Sequence, residues 1–257
     1  MSLKEAIRAG HLADFSYRNA WLDIDFDQIS STAGDYNGAD LREALERAGV
    51  IRATVEGMEK FAVDRKSLVF TFTIAQAEET ARLLTLRGIP AKAISCNTPA
   101  DERKQILVNF KHGVLSAIAS CGVLTEGFDE PSANCAVIAR PTKSKLLYQQ
   151  MVGRVLRLFP GKKDALVLDF VGAGTRNVPV SVASLVGVTP IQGETSLEAE
   201  VRTEKEKTEK GLPGNAVADA MLAAALKAKR ERQAFDELWI ELRRTPKSVR
   251  SAKVVSG

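Results

Sequence analysis

Cysteine and histidine are scarce in this sequence of 257 residues. No two cysteines have the Cys-x-x-Cys spacing that zinc sites and redox motifs use. The two histidines, His11 and His112, are too far apart in the chain to suggest a shared set of metal ligands. We therefore predict neither a metal site nor a disulfide framework, and we interpret Cys96, Cys121 and Cys135 as small residues of a protein from a reducing compartment.

Long apolar segments are also lacking. No run of roughly 18 apolar residues is present to span a membrane, and the first residues, 1–5, lack the apolar core of a signal peptide. Hydrophobic residues make up 45% of the chain and charged residues 26%, which is typical of globular proteins. We therefore expect no membrane partner and a cytoplasmic location of bacterial or phage type, or another intracellular location.

A loop that could cradle nucleotide phosphates is missing as well. The Walker A pattern, Gly-x-x-x-x-Gly-Lys-Ser/Thr, does not occur, and in 160–163 no Ser or Thr follows Gly161 and Lys162. No Asp-Glu pair continues as Asp-Glu-x-Asp or Asp-Glu-x-His, a pattern that would hold magnesium. These absences argue against a self-contained P-loop nucleoside triphosphatase.

Short apolar runs alternate with amphipathic segments over the middle of the chain. The predicted strands are 67–72, 91–95, 114–120, 134–139 and 165–170. The predicted helices are 39–48, 51–61, 73–87, 98–110 and 144–156, with a capping box at Thr73 and Gln76 and an N-cap at Thr98. The alternation favours an α/β fold, a mostly parallel sheet covered on both faces. Ligands of such sheets bind beyond the carboxyl ends of the strands, here the loops after residues 72, 120, 139 and 170.

Composition predicts three regions along the chain. Residues 1–36 are interpreted as a connector, residues 37–187 as the α/β domain, and residues 188–257 as a charged linker followed by a basic helical extension. The last 57 residues, 201–257, carry 13 lysines and arginines against 8 acidic residues. A basic extension can bind phosphate backbones, but a solvated helix face or a surface that docks on another domain is equally compatible with the sequence.

Two arginines stand three residues apart in the segment 150–157, which reads Gln-Met-Val-Gly-Arg-Val-Leu-Arg. On a helix this spacing places Arg154 and Arg157 on the same face. A guanidinium is permanently charged and binds phosphate through two parallel hydrogen bonds. The segment therefore indicates a phosphate contact, although an ordinary pair of surface salt bridges would use the same residues.

A second segment, Val123–Pro131, follows directly on a predicted strand and reads Val-Leu-Thr-Glu-Gly-Phe-Asp-Glu-Pro. Gly127 permits a close backbone approach, and Asp129 offers a carboxylate that can accept a hydrogen bond. By itself this segment describes no more than a turn with an acidic residue.

The two segments together resemble motifs V and VI of the superfamily 2 helicases, and the strand at 67–73 resembles motif IV of that family. The resemblance covers about residues 38–175 and implies the RecA-like C-terminal domain of a helicase motor, with a three-layer α/β/α fold. The Thr-Glu-Gly-Phe-Asp-x-Pro form of motif V, and glutamine rather than histidine at the start of motif VI, resemble the double-strand DNA translocases and the repair or restriction helicases more than the DEAD-box RNA helicases.

The resemblance also implies roles for individual residues. Arg157 would be the arginine finger on the γ-phosphate, and Arg154 would contact phosphates or support the interdomain contact. The residues expected at the nucleotide or the interdomain cleft are Gln150, Gly153, Glu126, Gly127 and Asp129. The residues expected at the nucleic-acid backbone are Thr125, Thr71 and Thr73, of which Thr73 has an alternative role as the cap of a helix.

Without a Walker A loop, the resemblance implies half of a motor. ATP and Mg²⁺ would be held mainly by an N-terminal RecA-like domain of the same polypeptide, from which residues 1–36 would lead, and this chain alone would be inactive. The expected partner is nucleic acid, and the form of the motifs favours DNA over RNA. One alternative is a RecA-like binding module without ATPase activity. A dinucleotide-dependent enzyme is disfavoured, since residues 71–76 contain no glycine.

Overall fold

The computed structural model describes residues 3–19, 22, 24–32, 35–124, 129–162 and 164–171, together with 185, 194–196, 198–199, 202–203 and 206. The chain divides into two compact units, 1–200 and 201–257, and most of the described residues belong to the first. The helical extension predicted for 188–257 lies almost entirely outside the described residues.

A six-stranded sheet forms the centre of the first unit, and all of its strand pairs are parallel. Its strands are β1 (Phe15–Asn19), β4 (Ser67–Thr71), β5 (Ala91–Ile94), β6 (Ala117–Ser120), β7 (Cys135–Ala139) and β8 (Ala165–Asp169). Their order across the sheet is β1-β8-β7-β4-β6-β5. A separate antiparallel pair is made by β2 (Ser31–Thr32) and β3 (Asp35–Tyr36). The predicted α/β fold with a parallel sheet is therefore confirmed.

Helices connect the strands. They are α1 (Leu3–Arg8), α2 (Gly38–Arg47), α3 (Val50–Phe61), α4 (Ile74–Leu86), α5 (Ala100–Lys111) and α6 (Lys145–Gly153), with a 3-10 turn at Phe26–Gln28. None of the helices in the described part of the chain has the length and apolar character needed to cross a membrane.

The burial of the central strands explains why the apolar runs in the sequence predicted them. Every residue of β4, β7 and β8 is buried, so these strands are near-continuous apolar runs, as expected for a parallel sheet covered on both faces. The five predicted strands are all present, and each differs from its prediction at one end, by one to three residues. Burial of these runs provides the main driving force for forming the sheet.

Strand β1 was not predicted. It lies inside the segment 1–36, which was interpreted as a connector, and it pairs with β8 at one edge of the sheet. Phe15 and Tyr17 are buried while Ser16 and Arg18 are partly exposed, so only alternate residues are apolar. Because the strand is five residues long and half-polar, it lacks the continuous apolar run that marked the others.

The helix starts test the predicted caps. At α4 the Thr73 hydroxyl accepts from the Gln76 amide at 3.1 Å, and the Gln76 side chain accepts from the Thr73 amide at 3.2 Å, which confirms the capping box. At α5 the predicted cap is wrong by one residue, because Pro99 is the N-cap. The Thr98 hydroxyl instead accepts from the Ser95 amide at 2.9 Å and closes the preceding turn.

Helix α3 packs very closely on the segment that follows β8. A β-carbon added at Gly57 would lie 2.8 Å from Cε1 of Phe170 and closer still to its Cζ. Real β-carbons do not approach another atom so closely, so this packing depends on the missing side chain at position 57.

Candidate functional site

The two arginines of the segment 150–157 follow helix α6 rather than sharing one of its faces. The helix was predicted to reach residue 156, but it ends at Gly153. The Val155 amide then donates to the Val152 carbonyl at 3.1 Å, and the Leu156 amide donates to the Gly153 carbonyl at 3.3 Å. These tighter bonds end the helix and turn Val155 and Leu156 into the core, where both are fully buried.

Arg154 and Arg157 thus flank Val155 and Leu156, which form a buried anchor for the main chain. Arg154 is the C-cap residue of α6, and both arginine side chains are only partly buried. The apolar pair between them fixes the main chain, while the two guanidinium groups stay within reach of a ligand. Gln150 lies within α6 and is partly exposed.

Asp129 and Arg157 form an ion pair that brings the two predicted segments together. The Asp129 side chain is 67% exposed and the Arg157 side chain 36% exposed. A pair this open to water contributes only about 0–1 kcal/mol, so the guanidinium is not strongly committed to its carboxylate. Of the predicted site residues, Thr125, Glu126 and Gly127 lie outside the described residues.

This ion pair does not lie wholly at the carboxyl ends of the strands, where ligand sites were expected. Asp129 lies in the loop after Ser120, as expected, but Arg157 lies in the connection from α6 to the amino end of β8. One side chain donates hydrogen bonds both to the Arg157 carbonyl and to the carbonyls of two residues that precede β7. The pair is therefore built from connections that lead back to the amino ends of two strands.

That shared donor is Lys162. Its ammonium donates to three main-chain carbonyls, those of Pro131 at 2.9 Å, Ala133 at 2.6 Å and Arg157 at 2.9 Å. Burial lowers the pKa of Lys162 to about 8. In the sequence this lysine stands out only as part of an incomplete phosphate loop, because hydrogen bonds to main-chain carbonyls leave no sequence pattern.

A second lysine also bonds the segment that follows Asp129. The Lys66 ammonium donates to the Ser132 hydroxyl at 2.9 Å and to the Lys111 carbonyl at 2.8 Å. The Ser132 hydroxyl in turn donates to the Glu130 carboxylate at 2.7 Å. The residues that follow Asp129 are therefore tied down by side chains from several elements.

The carboxyl edge of the sheet holds a different group of side chains. The Arg140 guanidinium carbon lies 5.8 Å from the centre of the Phe72 ring, and the Cys121 thiol donates to the Phe72 carbonyl at 3.3 Å. Burial raises the pKa of Cys121, against the opposing effect of Arg140. None of these three residues was a predicted site residue, although the loops that carry them were identified.

The two threonines predicted at the nucleic-acid backbone have structural contacts. Thr71 is buried, and its hydroxyl lies 3.2 Å from the Ser120 carbonyl and 3.1 Å from the Thr73 carbonyl. Thr73 caps α4, which was the alternative considered for it. These placements do not favour contact with a nucleic acid for Thr71, and they give Thr73 a demonstrated role in the fold.

The antiparallel pair β2–β3 positions the start of α6, a contact that the sequence did not reveal. The Asp35 carboxylate accepts from the Lys143 amide at 3.1 Å and from the Thr142 hydroxyl at 3.2 Å. Ser144 then caps α6 by accepting from the Leu147 amide at 3.2 Å. Burial raises the pKa of Tyr36 to about 12, with a further contribution from Asp35.

Comparison with known proteins places this geometry in a family. Residues 50–159 match the model of the helicase conserved C-terminal domain. The chain is 31% identical over 180 residues to IRC3 of Saccharomyces cerevisiae, which carries the name of an ATP-dependent helicase, covering 69% of this chain and 26% of that protein. It is 30% identical over 118 residues to XPB2 of Sulfurisphaera tokodaii, named as a DNA 3'-5' translocase, covering 46% of this chain and 25% of that protein.

A solved structure shows the same fold. It is the fragment described as an HsdR subunit of a type I restriction enzyme from Vibrio vulnificus, with a TM-score of 0.51, 22% identity, and coverage of 70% of this chain and 36% of that chain. At this identity the likeness shows the fold alone. The chain spans between a quarter and a third of the length of the first curated relatives it matches. The chain therefore carries the RecA-like C-terminal domain of a superfamily 2 helicase, within which Asp129, Arg154 and Arg157 lie.

Proposed function

We propose that this chain carries the C-terminal motor domain of an ATP-dependent DNA helicase or translocase, in which Arg157 completes an ATP site held by another RecA-like domain. The observation that carries the proposal is the turn after α6, where Arg154 and Arg157 flank a buried anchor and the Arg157 guanidinium pairs with the exposed Asp129 carboxylate. Helicases of this superfamily act on nucleic acid, and the relatives named as ATP-dependent support the use of ATP.

The described residues do not offer a complete nucleotide site. Among them there is no cluster of three or more metal-ligating side chains, and the sequence has no Walker A loop. ATP and Mg²⁺ would therefore be held mainly by the other domain, with Mg²⁺ neutralising phosphate charge there. In this chain Arg157 would contact the γ-phosphate, and Arg154 would contact the phosphates or the facing domain.

The chemical role of Arg157 follows from its charge and its weak present contact. Hydrolysis develops negative charge on the oxygens of the transferred phosphoryl group. A guanidinium that exchanges the Asp129 carboxylate for those oxygens offsets this charge, more strongly once the closing domains exclude water. Repeated closure and opening of the two domains would then advance the motor along nucleic acid.

DNA is the proposed substrate for two reasons. The relative named as a DNA 3'-5' translocase aligns with this chain, and the segment Thr125–Pro131 has the form that resembles DNA translocases and repair or restriction helicases. The basic segment 201–257 supplies positive charge that would favour contact with phosphate backbones.

The test is nucleic-acid-stimulated ATPase activity of this chain and of a polypeptide extended toward its native N-terminus. We expect activity only in the longer protein, with duplex DNA a better stimulator than RNA. Arg157→Ala should lower kcat by about 10³-fold or more, as loss of an arginine finger does. Arg82→Ala is the matched control, because Arg82 is also an arginine paired with a carboxylate, that of Glu79, and its side chain is exposed.

Each outcome decides between readings. Stimulated ATPase activity in this chain alone would overturn the half-motor proposal. If the longer protein hydrolyses ATP and Arg157→Ala behaves like Arg82→Ala, Arg157 is not the arginine finger. If neither protein hydrolyses ATP but nucleic acid binds, the chain is a binding module.

A further inference from the structure

Lys162 joins two segments that are separate in the chain. Its ammonium has three N–H donors, and three carbonyls accept from it. Two of those carbonyls, of Pro131 and Ala133, belong to the segment that begins two residues after Asp129. The third is the carbonyl of Arg157 itself.

These contacts link the main chain near one member of the ion pair to the main chain of the other. Asp129 and Arg157 are 28 residues apart in sequence, and each is followed by main chain bound to the same ammonium. Burial lowers the pKa of Lys162 to about 8, so at neutral pH the charged form with all three donors still prevails. A charged donor makes stronger hydrogen bonds to carbonyls than a neutral one.

We propose that Lys162 is a positioning residue for Arg157, holding the Arg157 main chain at a fixed distance from the Asp129 segment so that the guanidinium points toward its ligand. The importance of this for catalysis rests on the proposed function of Arg157. Misplacement of a catalytic group by about 1 Å can cost on the order of 100-fold in rate, so a main-chain anchor has a direct effect on kcat.

Lys66 provides a matched control. It also bonds the segment after Asp129, through the Ser132 hydroxyl at 2.9 Å, and it also uses a main-chain carbonyl, that of Lys111 at 2.8 Å. Its contacts do not include the Arg157 carbonyl. If the lysines only stabilise the fold, Lys162→Met and Lys66→Met should have similar effects, whereas positioning of Arg157 predicts different ones.

The first experiment measures hydrogen–deuterium exchange in this chain, without any ATPase assay. Methionine keeps the length of the side chain and removes its donors. Lys162→Met should speed exchange of the amides at 154–159 by about tenfold or more, the change expected for losing a hydrogen bond to a charged group. Lys66→Met should leave those amides unchanged. Unchanged exchange in Lys162→Met, or equal acceleration in both variants, would overturn the proposal.

The second experiment measures kcat and KM for ATP in the longer, active protein. Lys162→Met should lower kcat by about 10- to 100-fold with little change in KM, and Lys66→Met should leave kcat within a few fold. In an Arg157→Ala background, Lys162→Met should add no further loss, because both changes act through one guanidinium. An additive loss would show that Lys162 does not act through Arg157.

The two experiments separate the two proposals. If Arg157→Ala leaves kcat unchanged, the proposed function of Arg157 fails, while hydrogen exchange still decides whether Lys162 positions it. If Lys162→Met does not fold, Lys162→Gln, which keeps an amide donor group, is compared with Lys66→Gln by the same exchange measurement and the same criteria.

Discussion

Replacing Gly57 by alanine tests the close packing of α3 on Phe170. Alanine favours a helix over glycine by about 0.8–1.0 kcal/mol, so propensity alone predicts a more stable protein. The new methyl group would meet the Phe170 ring, whose Cε1 lies 2.8 Å from the position of the added carbon. Phe170 is only 3% exposed and cannot swing into water, so overpacking should cost about 1–3 kcal/mol. We therefore expect a net loss of about 1 kcal/mol.

The assay is urea unfolding, with Gly153→Ala as the matched control. Apart from its chain neighbours and the backbone of α6, no atom of the described residues lies within 4 Å of a β-carbon added at Gly153, so this variant should be as stable as the wild type or slightly more stable. The stability difference between the two variants therefore reports mainly the overpacking. Phe170→Leu should reduce the cost of Gly57→Ala in a double-mutant cycle. If Gly57→Ala is as stable as Gly153→Ala, the Phe170 ring yields freely and the packing argument is refuted.

Three further predictions follow from single side chains. Thr73→Ala should lower the free energy of unfolding by about 1 kcal/mol and Thr73→Ser should not; equal stability of both would refute the cap. At pH 8 a maleimide should modify the exposed Cys96 in the folded protein and spare Cys135, which is fully buried with its pKa raised by burial to about 12; rapid native modification of Cys135 would contradict this. Burial also depresses the pKa of Lys162 from its ordinary 10.5 to about 8, so between these values the unfolded state binds more protons. The free energy of unfolding of the wild type should therefore rise from pH 8 to 10.5 relative to that of Lys162→Met. A fall over this range would show that folding raises the pKa of Lys162 instead of lowering it.

The parts of the fold that were predicted correctly are those that leave a periodic pattern. Strands β4, β7 and β8 are buried on both faces and are read as apolar runs, and the capping box of α4 uses two side chains at a fixed spacing. Strand β1 was missed because its stability comes from pairing with β8, a partner distant in sequence. The end of α6 was misjudged because Val155 and Leu156 continue a helical apolar pattern, while tertiary packing turns them into the core.

The sequence predicted which residues form the candidate site but not how they are held in place. The segments holding Asp129 and Arg157 were identified from residue types and order, and the structure brings these two side chains together. Their common anchor was not predictable, because Lys162 acts on main-chain carbonyls that every residue possesses. The role of Asp35 was not predictable for the same reason, because Asp35 supports the start of α6 through the main-chain amide of Lys143.

Because β1 pairs with β8, it is synthesised long before its partner strand. Phe15 lies beside Ala165, so ribosomes adding about 5–20 residues per second need roughly 8–30 s to produce the partner of a strand made at the start of this segment. During that interval Phe15 and Tyr17 have no β8 to pair with, and a nascent chain halted before Ala165 would retain an unpaired edge strand. Chaperone capture of such halted chains should therefore decrease once codons up to Asp169 have been translated and the exit tunnel has been cleared.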